Sequence, residues 1–584
     1  MELFFVPSRV VLRGSATCIF FYLLLSGFGA RLANGETLPV EFPKAQAWSG
    51  RSTVVMPTGV WHRYMTKADG ENTKLVYIES DDEGVSWSEP YAAATFPGKG
   101  WGGAAALLDR RGEIQMFITR SRSEGDGKGP GIGRFIDVWH ARSSETRTKW
   151  EEPRRIFAGY TGAISQAIQM KNGRIVVPIG SWVGSRQRAA PYGPSEVITF
   201  HSDDDGATFA QSPARLISPV DDDYNGDKVG ACEPAVVEFA TGKLLMLMRT
   251  QAGFLYESTS TDGENWTTAT PSRFFASTGP PSLIRMRDDR VMLTWNSCAM
   301  PPKVDGQGVY GGRDALHAAI SDSSGDRWFG YREVYRDPTR NLEPPKRGDR
   351  GTAYPESMLM RDGRVAVVSG QGGRRALMYI DPAWLMENVA SDDFSNGIDI
   401  WCVYKSFGPA IGWWRNRMQG AELITHPDDP SKKVLHVRRP DDKSPDGASW
   451  NFPTGTTGTL TLRFQLPAGS AGASVGLTDR MFDPADDQGE AASMVRIPLR
   501  IGSTVYGTTI AADIWHTLTF EWDTAESRCT ASIDGGKATA LPFAHETQNG
   551  LSYLRLRSSA GAIDPAGVLV ERVNVSVGQP ETGN

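Results

Sequence analysis

A short motif recurs at a nearly constant spacing along the first part of the chain, and this repeat restricts the folds open to it. The motif "SDDEGVSW" begins at Ser80, and related motifs begin at Ser143, Ser202, Ser260 and Ser321, which are separated by 63, 59, 58 and 61 residues. A fixed period of this kind is typical of repeat architectures, in which each repeat is one supersecondary unit. We therefore expect similar β units placed side by side rather than one continuous core.

A second series of turn signals alternates with the first. Short β-rich runs meet at tight turns near residues 59, 112, 173, 242, 289 and 363. Each turn joins two strands as a hairpin, and one of the repeated motifs follows each of the first five. One hairpin plus one motif-closed pair makes four strands, which is the size of a propeller blade. The pattern predicts an all-β chain with a six-bladed β-propeller over residues 40–388, whose last blade the N-terminal segment completes.

The repeated motif is interpreted as a turn that stabilises the fold, here called a brace, and not as a functional site. Its Asp and Ser side chains are of the kind that hydrogen-bond local backbone in tight turns. The copies belong to separate blades, and Ser323 stands where the fifth copy is expected to carry Asp. In an up-and-down sheet the hairpins and the motifs lie at one end, so a site built from strand starts lies on the opposite face.

Six polar or ionisable residues are predicted to converge on that opposite face. Glu233 lies nine residues before the fourth hairpin glycine and Arg249 seven residues after it, so both belong to the same end of neighbouring strands. Tyr354 holds the place in the sixth repeat that Glu233 holds in the fourth. The remaining members are Arg313, Asp69 and Arg51.

These segments resemble the sialidase (neuraminidase) superfamily, whose members are six-bladed propellers with Asp-box (BNR) repeats, over about residues 45–385. "EPAVVEFATGKLLMLMRT" is similar to the family segment with a glutamate base and the second of three carboxylate-binding arginines, which implies these roles for Glu233 and Arg249. "YPESMLMRDGRVAVV" is similar to the nucleophile segment and implies that role for Tyr354. The resemblance also implies that Arg313 is the third arginine and that Asp69 is the acid/base group.

The implied chemistry is self-consistent. The anomeric carbon of sialic acid carries a carboxylate, which repels an anionic nucleophile but not a phenol that a neighbouring Glu deprotonates. Sialidases are the tyrosine-nucleophile exception among glycosidases, and guanidinium groups suit carboxylate binding. The resemblance implies an exo-α-sialidase-like glycoside hydrolase (EC 3.2.1.18-like) that acts with retention, without metal or other cofactor, on a glycan with an acidic terminal sugar.

Two positions depart from the family pattern. The first family arginine sits in an Arg-Ile-Pro motif, whereas Arg51 is in "GRSTVV", and Arg63 in "WHRYM" is a rival for that role. The family glutamate that steadies the first arginine would fall at Gly370 or Gln371. Related 2-keto sugar acids, or another acidic glycan, therefore stay open as substrates.

Two other functions also stay open. A propeller lyase or hydrolase acting on uronic-acid or sulfated polysaccharide would use the same basic face, and a non-catalytic propeller would bind a glycan without cleaving it. The formal net charge of −6 argues against a phosphate-backbone binder, and so against nucleic acid as a partner. A calcium loop at Asp221, Asp223 and Asn225 is disfavoured because Cys232 occupies its twelfth position.

Both ends of the chain carry further predictions. Two arginines followed by an apolar run and small residues are typical of a secretory signal peptide over residues 1–35, with an uncleaved anchor as the alternative. The mature protein is then exported (secreted, periplasmic or at the cell surface) and has no membrane span.

Over residues 390–580, alternating β patterns predict a β-sandwich (jelly-roll) domain, and "DIWHTLTFEWDTAESRCTASIDGG" resembles concanavalin/laminin-G-like sandwiches.

Four cysteines remain after the signal peptide. Cys232 with Cys298 and Cys402 with Cys529 are the pairings that export would permit, and free buried thiols are the alternative.

Overall fold

The structure is a computed structural model of the chain. It describes residues 40–45, 51–123, 134–162, 164–182, 195–220, 230–298, 312–342, 351–371, 375–411, 414–505 and 507–578. The predicted signal peptide over residues 1–35 and the disfavoured calcium loop at residues 221–225 lie outside the described residues. Within those ranges, no helix has the length and apolar character needed to cross a membrane.

Six antiparallel sheets follow one another in the first part of the described chain. Sheet 1 contains β1 (Thr53–Val55), β2 (Trp61–Asp69), β3 (Asn72–Ser80) and β4 (Tyr91–Phe96). Sheet 2 contains β5 (Trp101–Leu108), β6 (Ile114–Ser123), β7 (Arg134–Arg142) and β8 (Arg154–Phe157). Sheet 3 contains β9 (Ile168–Gln169), β10 (Ile175–Trp182), β11 (Ser195–Ser202) and β12 (Ala210–Gln211).

The next three sheets repeat the same order. Sheet 4 contains β13 (Cys232–Glu238), β14 (Leu244–Arg249), β15 (Phe254–Ser260) and β16 (Thr270–Phe275). Sheet 5 contains β17 (Ser282–Arg285), β18 (Val291–Trp295), β19 (Ala315–Ser321) and β20 (Trp328–Arg336). Sheet 6 contains β21 (Glu356–Leu359), β22 (Val365–Ser369) and β23 (Ala376–Ile380), and Glu41 pairs with Tyr379 at its edge. The N-terminal segment thus adds to the last sheet, as the sequence predicts.

The six sheets close into a ring. The first strand of each of sheets 4, 5 and 6 contacts the first strand of the next sheet, and β1 contacts both β5 and β21. Apolar side chains fill the spaces between neighbouring sheets: Trp61 of sheet 1 packs with Met358 and Val368 of sheet 6. Trp295 of sheet 5 packs with Leu247 of sheet 4. This is a β-propeller, and the prediction of the fold class is confirmed.

The repeated motifs form hydrogen-bonded turns. In the first copy, the Asp82 carboxylate accepts hydrogen bonds from Ser80 Oγ at 2.8 Å and from the backbone N–H of Ser86 at 2.9 Å. The fifth copy lacks Asp at residue 323, and there Asp322 accepts from the backbone N–H of Gly325 at 2.8 Å. The carboxylate acts on its own turn in each case, which agrees with the interpretation of the motif as a brace.

The rest of the chain forms a β-sandwich with short helices. The helices are α1 (Pro382–Leu385) and α2 (Asp487–Ala491). One sheet has eight strands: β24 (Val389–Asp392), β28 (Glu422–Thr425), β29 (Lys433–Arg439), β31 (Thr457–Gln465), β36 (Trp515–Asp523), β37 (Arg528–Ile533), β38 (Thr539–Leu541) and β40 (Asp564–Gly578). The other has five: β25 (Trp401–Cys402), β30 (Gly447–Gly455), β32 (Ala473–Thr478), β33 (Val495–Leu499) and β39 (Leu551–Ser558). Two further pairs are β26 (Tyr404–Ile411) with β27 (Trp414–Gln419), and β34 (Thr504–Val505) with β35 (Thr508–Thr509).

The sandwich is packed against sheet 5 of the propeller. Strand β20 contacts β30, and Tyr553 of β39 donates a hydrogen bond to Glu333 of β20 at 2.9 Å. Cys298 and Cys402 share an apolar cluster at this boundary. The four described cysteines are buried free thiols, so neither possible disulfide pairing occurs.

The brace function of the motif predicts a stability effect that depends on pH. Burial opposes ionisation of Asp82, but hydrogen bonds from Ser86 and Ser80 outweigh it and hold its pKa below the usual value. Asp82→Ala should lower the free energy of unfolding by about 1–2 kcal/mol at neutral pH. A carboxylate with a depressed pKa stabilises the fold above its unfolded pKa of about 4, so the difference from wild type should shrink as pH falls below that value.

Urea unfolding at pH 7 and pH 3 measures this difference. The neighbouring exposed Asp81, whose replacement changes the charge equally, supplies the control Asp81→Ala. Equal losses of stability in the two variants would contradict the brace interpretation.

Candidate active site

Glu233 and Arg249 lie close together because they belong to the neighbouring strands β13 and β14. Cys232 at the start of β13 pairs with Arg249 at the end of β14, and the register shifts between Cys232 and Ala235. This bulge contains Glu233, whose φ of 43° lies in the left-handed region. A non-glycine residue at such a φ is under backbone strain, which concentrates at functional sites because the surrounding structure must enforce it.

Tyr354 comes from sheet 6 and meets the same pair. It lies two residues before β21 and also has a left-handed φ, of 65°. One nitrogen of Arg249, Nη1, donates to Glu233 Oε2 at 2.7 Å and to Tyr354 Oη at 3.1 Å. Arg249 Nε donates to Thr278 Oγ1 at 3.1 Å, which fixes the plane of the guanidinium. The structure thus brings together three of the residues that the sequence predicts.

Two more of the predicted arginines flank the tyrosine ring. The Cζ atoms of Arg51 and Arg313 lie 5.5 Å and 5.4 Å from the ring centroid of Tyr354. Arg313 donates from Nη1 to Gln371 Oε1 at 3.0 Å and from Nη2 to the Thr278 carbonyl. Three guanidinium groups therefore surround one phenol.

The electrostatics of the cluster favour an ionised glutamate. Burial opposes the charge on Glu233, but the guanidinium groups of Arg249, Arg51 and Arg313 outweigh burial and hold the pKa of Glu233 below its usual value. Burial likewise opposes the charge on Arg249, whereas Glu233 and Tyr354 raise its pKa well above the usual value. Such opposed shifts are the mark of a tight buried ion pair.

The structure distinguishes between the two candidates for the first arginine. Arg51 Nε lies 3.3 Å from Glu356 Oε1 and its guanidinium faces the Tyr354 ring. Arg63 has its Cζ 6.0 Å from the ring of Trp87, the aromatic end of the first motif, and its pKa is lowered by burial although the nearby Glu356 acts against this shift. Arg51 is therefore the candidate whose guanidinium faces the Tyr354 ring.

The arginines have two further partners, of which only Gln371 was considered from the sequence. Glu356, two residues after Tyr354, is the carboxylate that faces Arg51. Gln371, considered in the sequence as the counterpart of the family glutamate, contacts Arg313. The short interval between Tyr354 and Glu356 in "YPES" is the signal that could have pointed to Glu356, because residues two apart on an extended chain lie on one side of it.

Asp69 is not in contact with this cluster. It ends β2, where it pairs with Asn72, and its carboxylate lies 3.1 Å from Lys74 Nζ. Within the described part of the chain, no hydrogen bond or ion pair joins Asp69 to Glu233, Arg249 or Tyr354. Strand β2 continues beyond Arg63, the last residue opposite β1, so Asp69 lies six residues, or about 20 Å of strand, further along.

A polar cavity adjoins the cluster. It has a volume of about 170 Å³ and lies between the first strands of the sheets, with Arg51 and Glu356 in its wall. Ser165, Ser282 and Ser357 supply further polar lining. The cluster is therefore next to a space that can hold water, beside the inner strands of the ring.

Several solved protein structures are similar to this chain. No curated protein sequence matches it. A solved structure of a protein of unknown function from Dyadobacter fermentans is 16% identical, with a TM-score of 0.41 over 59% of this chain and 97% of that chain. A Trypanosoma rangeli sialidase is 14% identical, with a TM-score of 0.36 over 93% of each chain. A sialidase mutant from Streptococcus pneumoniae is 13% identical, with a TM-score of 0.38 over 60% of this chain and 72% of that chain.

The family comparison covers more than half of the chain. The sequence profile of the BNR repeat-like domain matches residues 65–367, which span the described sheets from β2 to β22. The chain therefore belongs to the BNR repeat-like domain family, which confirms the recognition of its repeat as a BNR repeat.

Proposed function

We propose that this protein is an exo-glycosidase of sialidase type, which hydrolyses a terminal sialic acid or a related 2-keto sugar acid with retention through a tyrosyl-glycoside intermediate. The observation that carries the proposal is the contact of one Arg249 nitrogen with both Glu233 and Tyr354, between the guanidinium groups of Arg51 and Arg313. The proposal includes export of the protein, which rests on the sequence of residues 1–35.

The charge of the cluster suits a substrate with one carboxylate. Arg249 pairs with Glu233 and Arg51 lies beside Glu356, and Arg313 adds a further cation next to the Tyr354 ring. A guanidinium binds a carboxylate through two parallel hydrogen bonds, so the arginines would fix both the charge and the orientation of the sugar. In this binding mode the anomeric carbon of a keto sugar acid would lie beside the Tyr354 hydroxyl.

The proposed reaction assigns the base and the nucleophile. Glu233 takes the proton of the Tyr354 hydroxyl, and the phenolate oxygen bonds to the anomeric carbon as the bond to the leaving oxygen breaks. Asp69 is the proposed donor of a proton to that oxygen. Water then attacks the anomeric carbon and gives a proton to the Asp69 carboxylate, while the Tyr354 phenolate leaves and takes its proton back from Glu233, so that two inversions give net retention. No metal is required for any of these steps.

Binding of the substrate would strengthen the base. In the free protein Arg249 pairs with Glu233, and this pairing lowers the proton affinity of the carboxylate. A substrate carboxylate competes for the same guanidinium and adds a negative charge nearby. Both effects raise the pKa of Glu233, because a nearby anion disfavours a second anion.

The position of Asp69 favours one other candidate, a propeller that binds acidic glycans without cleaving them. Such a protein needs the arginines but not a proton donor at the leaving oxygen. The pairing of Asp69 with Lys74, away from the cluster, is the observation in favour of this candidate.

The tyrosine mechanism predicts that Tyr354→Phe abolishes turnover of fluorogenic sialosides or other keto-acid glycosides. Glu233→Gln should lower kcat by about 10²- to 10⁴-fold, because it removes the general base. The control is Tyr379→Phe: Tyr379 is in the same sheet, its hydroxyl donates to the Glu83 carbonyl in the first motif, and its loss should leave kcat unchanged.

A panel of sialosides, other keto-acid glycosides and uronides distinguishes the candidate functions. Turnover that survives Tyr354→Phe would contradict the tyrosine mechanism. Binding of the keto-acid sugars to wild type without turnover would favour the non-catalytic propeller, and uronide cleavage with a new ultraviolet-absorbing double bond would indicate a lyase.

The charge network predicts a pH effect. The acid limb of kcat/KM reports the free Glu233, and its lowered pKa should place that limb at lower pH than an ordinary glutamate would. Arg51→Gln removes a cation that lowers the Glu233 pKa, so the limb should move to higher pH while kcat/KM falls. A pH profile of both proteins measures the shift, and an unmoved limb would exclude Glu233 as the titrating base.

A further inference from the structure

We infer that the C-terminal sandwich takes part in the function of the propeller site, because its residues Arg417 and Tyr404 position the substrate-binding Arg313. The inference rests on the proposed function, in which Arg313 binds the substrate carboxylate. Arg417 and Tyr404 are positioning residues, since they act on Arg313 through their contacts with Asp314.

The contact is a buried ion pair that crosses from one domain to the other. Arg417 Nη1 of β27 lies 2.8 Å from Asp314 Oδ1, and the Tyr404 hydroxyl of β26 donates to Asp314 Oδ2 at 3.3 Å. The Arg417 Cζ lies 3.7 Å from the centroid of the Tyr404 ring, so the two sandwich side chains also hold each other. All three residues are at most 2% exposed.

Asp314 is adjacent in the chain to Arg313. The Arg313 carbonyl accepts hydrogen bonds from Thr352 N at 3.1 Å and from Thr352 Oγ1 at 2.8 Å, which fixes it to the segment that leads to Tyr354. Arg313 is thus held from sheet 6 through its carbonyl, and from the sandwich through the side chain of the following residue.

The position of Arg313 depends on Arg417 because burying an unpaired charge costs free energy. A carboxylate that is almost fully buried is strongly unfavourable without a partner, and removal of one partner of such a pair makes the other side chain move or take up a proton. If Arg417 were lost, Asp314 would move toward water and carry the Arg313 backbone with it. The guanidinium would then leave its position beside Gln371 and the Tyr354 ring.

A second buried contact between the domains provides a matched control. The Tyr553 hydroxyl of the sandwich lies 2.9 Å from Glu333 Oε1 and 2.5 Å from His317 Nε2. It joins the same two domains with the same kind of side chain, but it reaches β19 and β20 beyond the segment of Arg313. Its loss should destabilise the domain boundary without moving Arg313.

The test compares Tyr404→Phe and Arg417→Lys with Tyr553→Phe in the full chain. Arg313 holds the carboxylate in both the ground state and the transition state, so its displacement should raise KM for a fluorogenic sialoside about ten-fold with kcat nearly unchanged. Tyr553→Phe should lower the thermal midpoint and leave KM unchanged. Tyr404→Phe removes one hydroxyl and keeps the ring, so it remains informative if Arg417→Lys folds poorly.

A measurement that needs no substrate tests the positioning role separately from the proposed function. Hydrogen–deuterium exchange of the peptide that contains residues 312–315 should be faster in Tyr404→Phe and Arg417→Lys than in wild type, and unchanged in Tyr553→Phe. Equal exchange in wild type and all three variants would overturn the positioning role, and so would an unchanged KM in Tyr404→Phe and Arg417→Lys. Wild type that turns over no keto-acid glycoside would overturn the proposed function, and the exchange data would then decide the positioning role alone.

Discussion

A propeller sheet can bury its two apolar faces only against the sheets on either side, and the rest of this structure depends on that constraint. Trp61 of sheet 1 is fully buried because sheet 6 covers it, which closes the ring with residues distant in sequence. Closure brings the first strands of the sheets together around one axis. Arg51, Glu233 and Tyr354, which lie at or before the starts of three such strands, meet for this reason and not because of any local pattern that joins them.

The rigid ring also explains how strained residues persist at the site. Glu233 and Tyr354 both have left-handed backbone angles, which each cost about 1–3 kcal/mol in a non-glycine residue. Strand pairing next to them is regular: Ala235 to Glu238 pair with β14, and Glu356 to Leu359 pair with β22. The regular sheets enforce the irregular residues at their ends, so the side chains point toward Arg249 rather than along the sheet.

The sequence predicts the parts of the fold and site that follow from counting along strands. Glu233, Arg249 and Tyr354 were found from their distances to hairpin glycines, because strand rise and alternation are nearly constant. Glu356 was missed because the partner of Arg51 is set by packing between sheets 6 and 1, which one sequence does not display. The separation of Asp69 from the cluster was missed for a related reason: β2 is much longer than β1, and nothing in "WHRYMTKAD" marks where their pairing ends.

The charges of the cluster connect the ion pair that Glu233 forms in the structure with the base role that the proposed function gives it. Without substrate, Arg249 is a buried cation that needs a counter-ion, and Glu233 supplies it at 2.7 Å. In the proposed function, a carboxylate substrate would replace Glu233 as that counter-ion, and the glutamate would then be released to act as a base toward Tyr354. On this proposal the same pair stabilises the empty site and keeps the base weak until an anion arrives. Such a coupling would favour acidic sugars over neutral ones in the chemical step as well as in binding, because a neutral sugar would leave Glu233 paired and weakly basic.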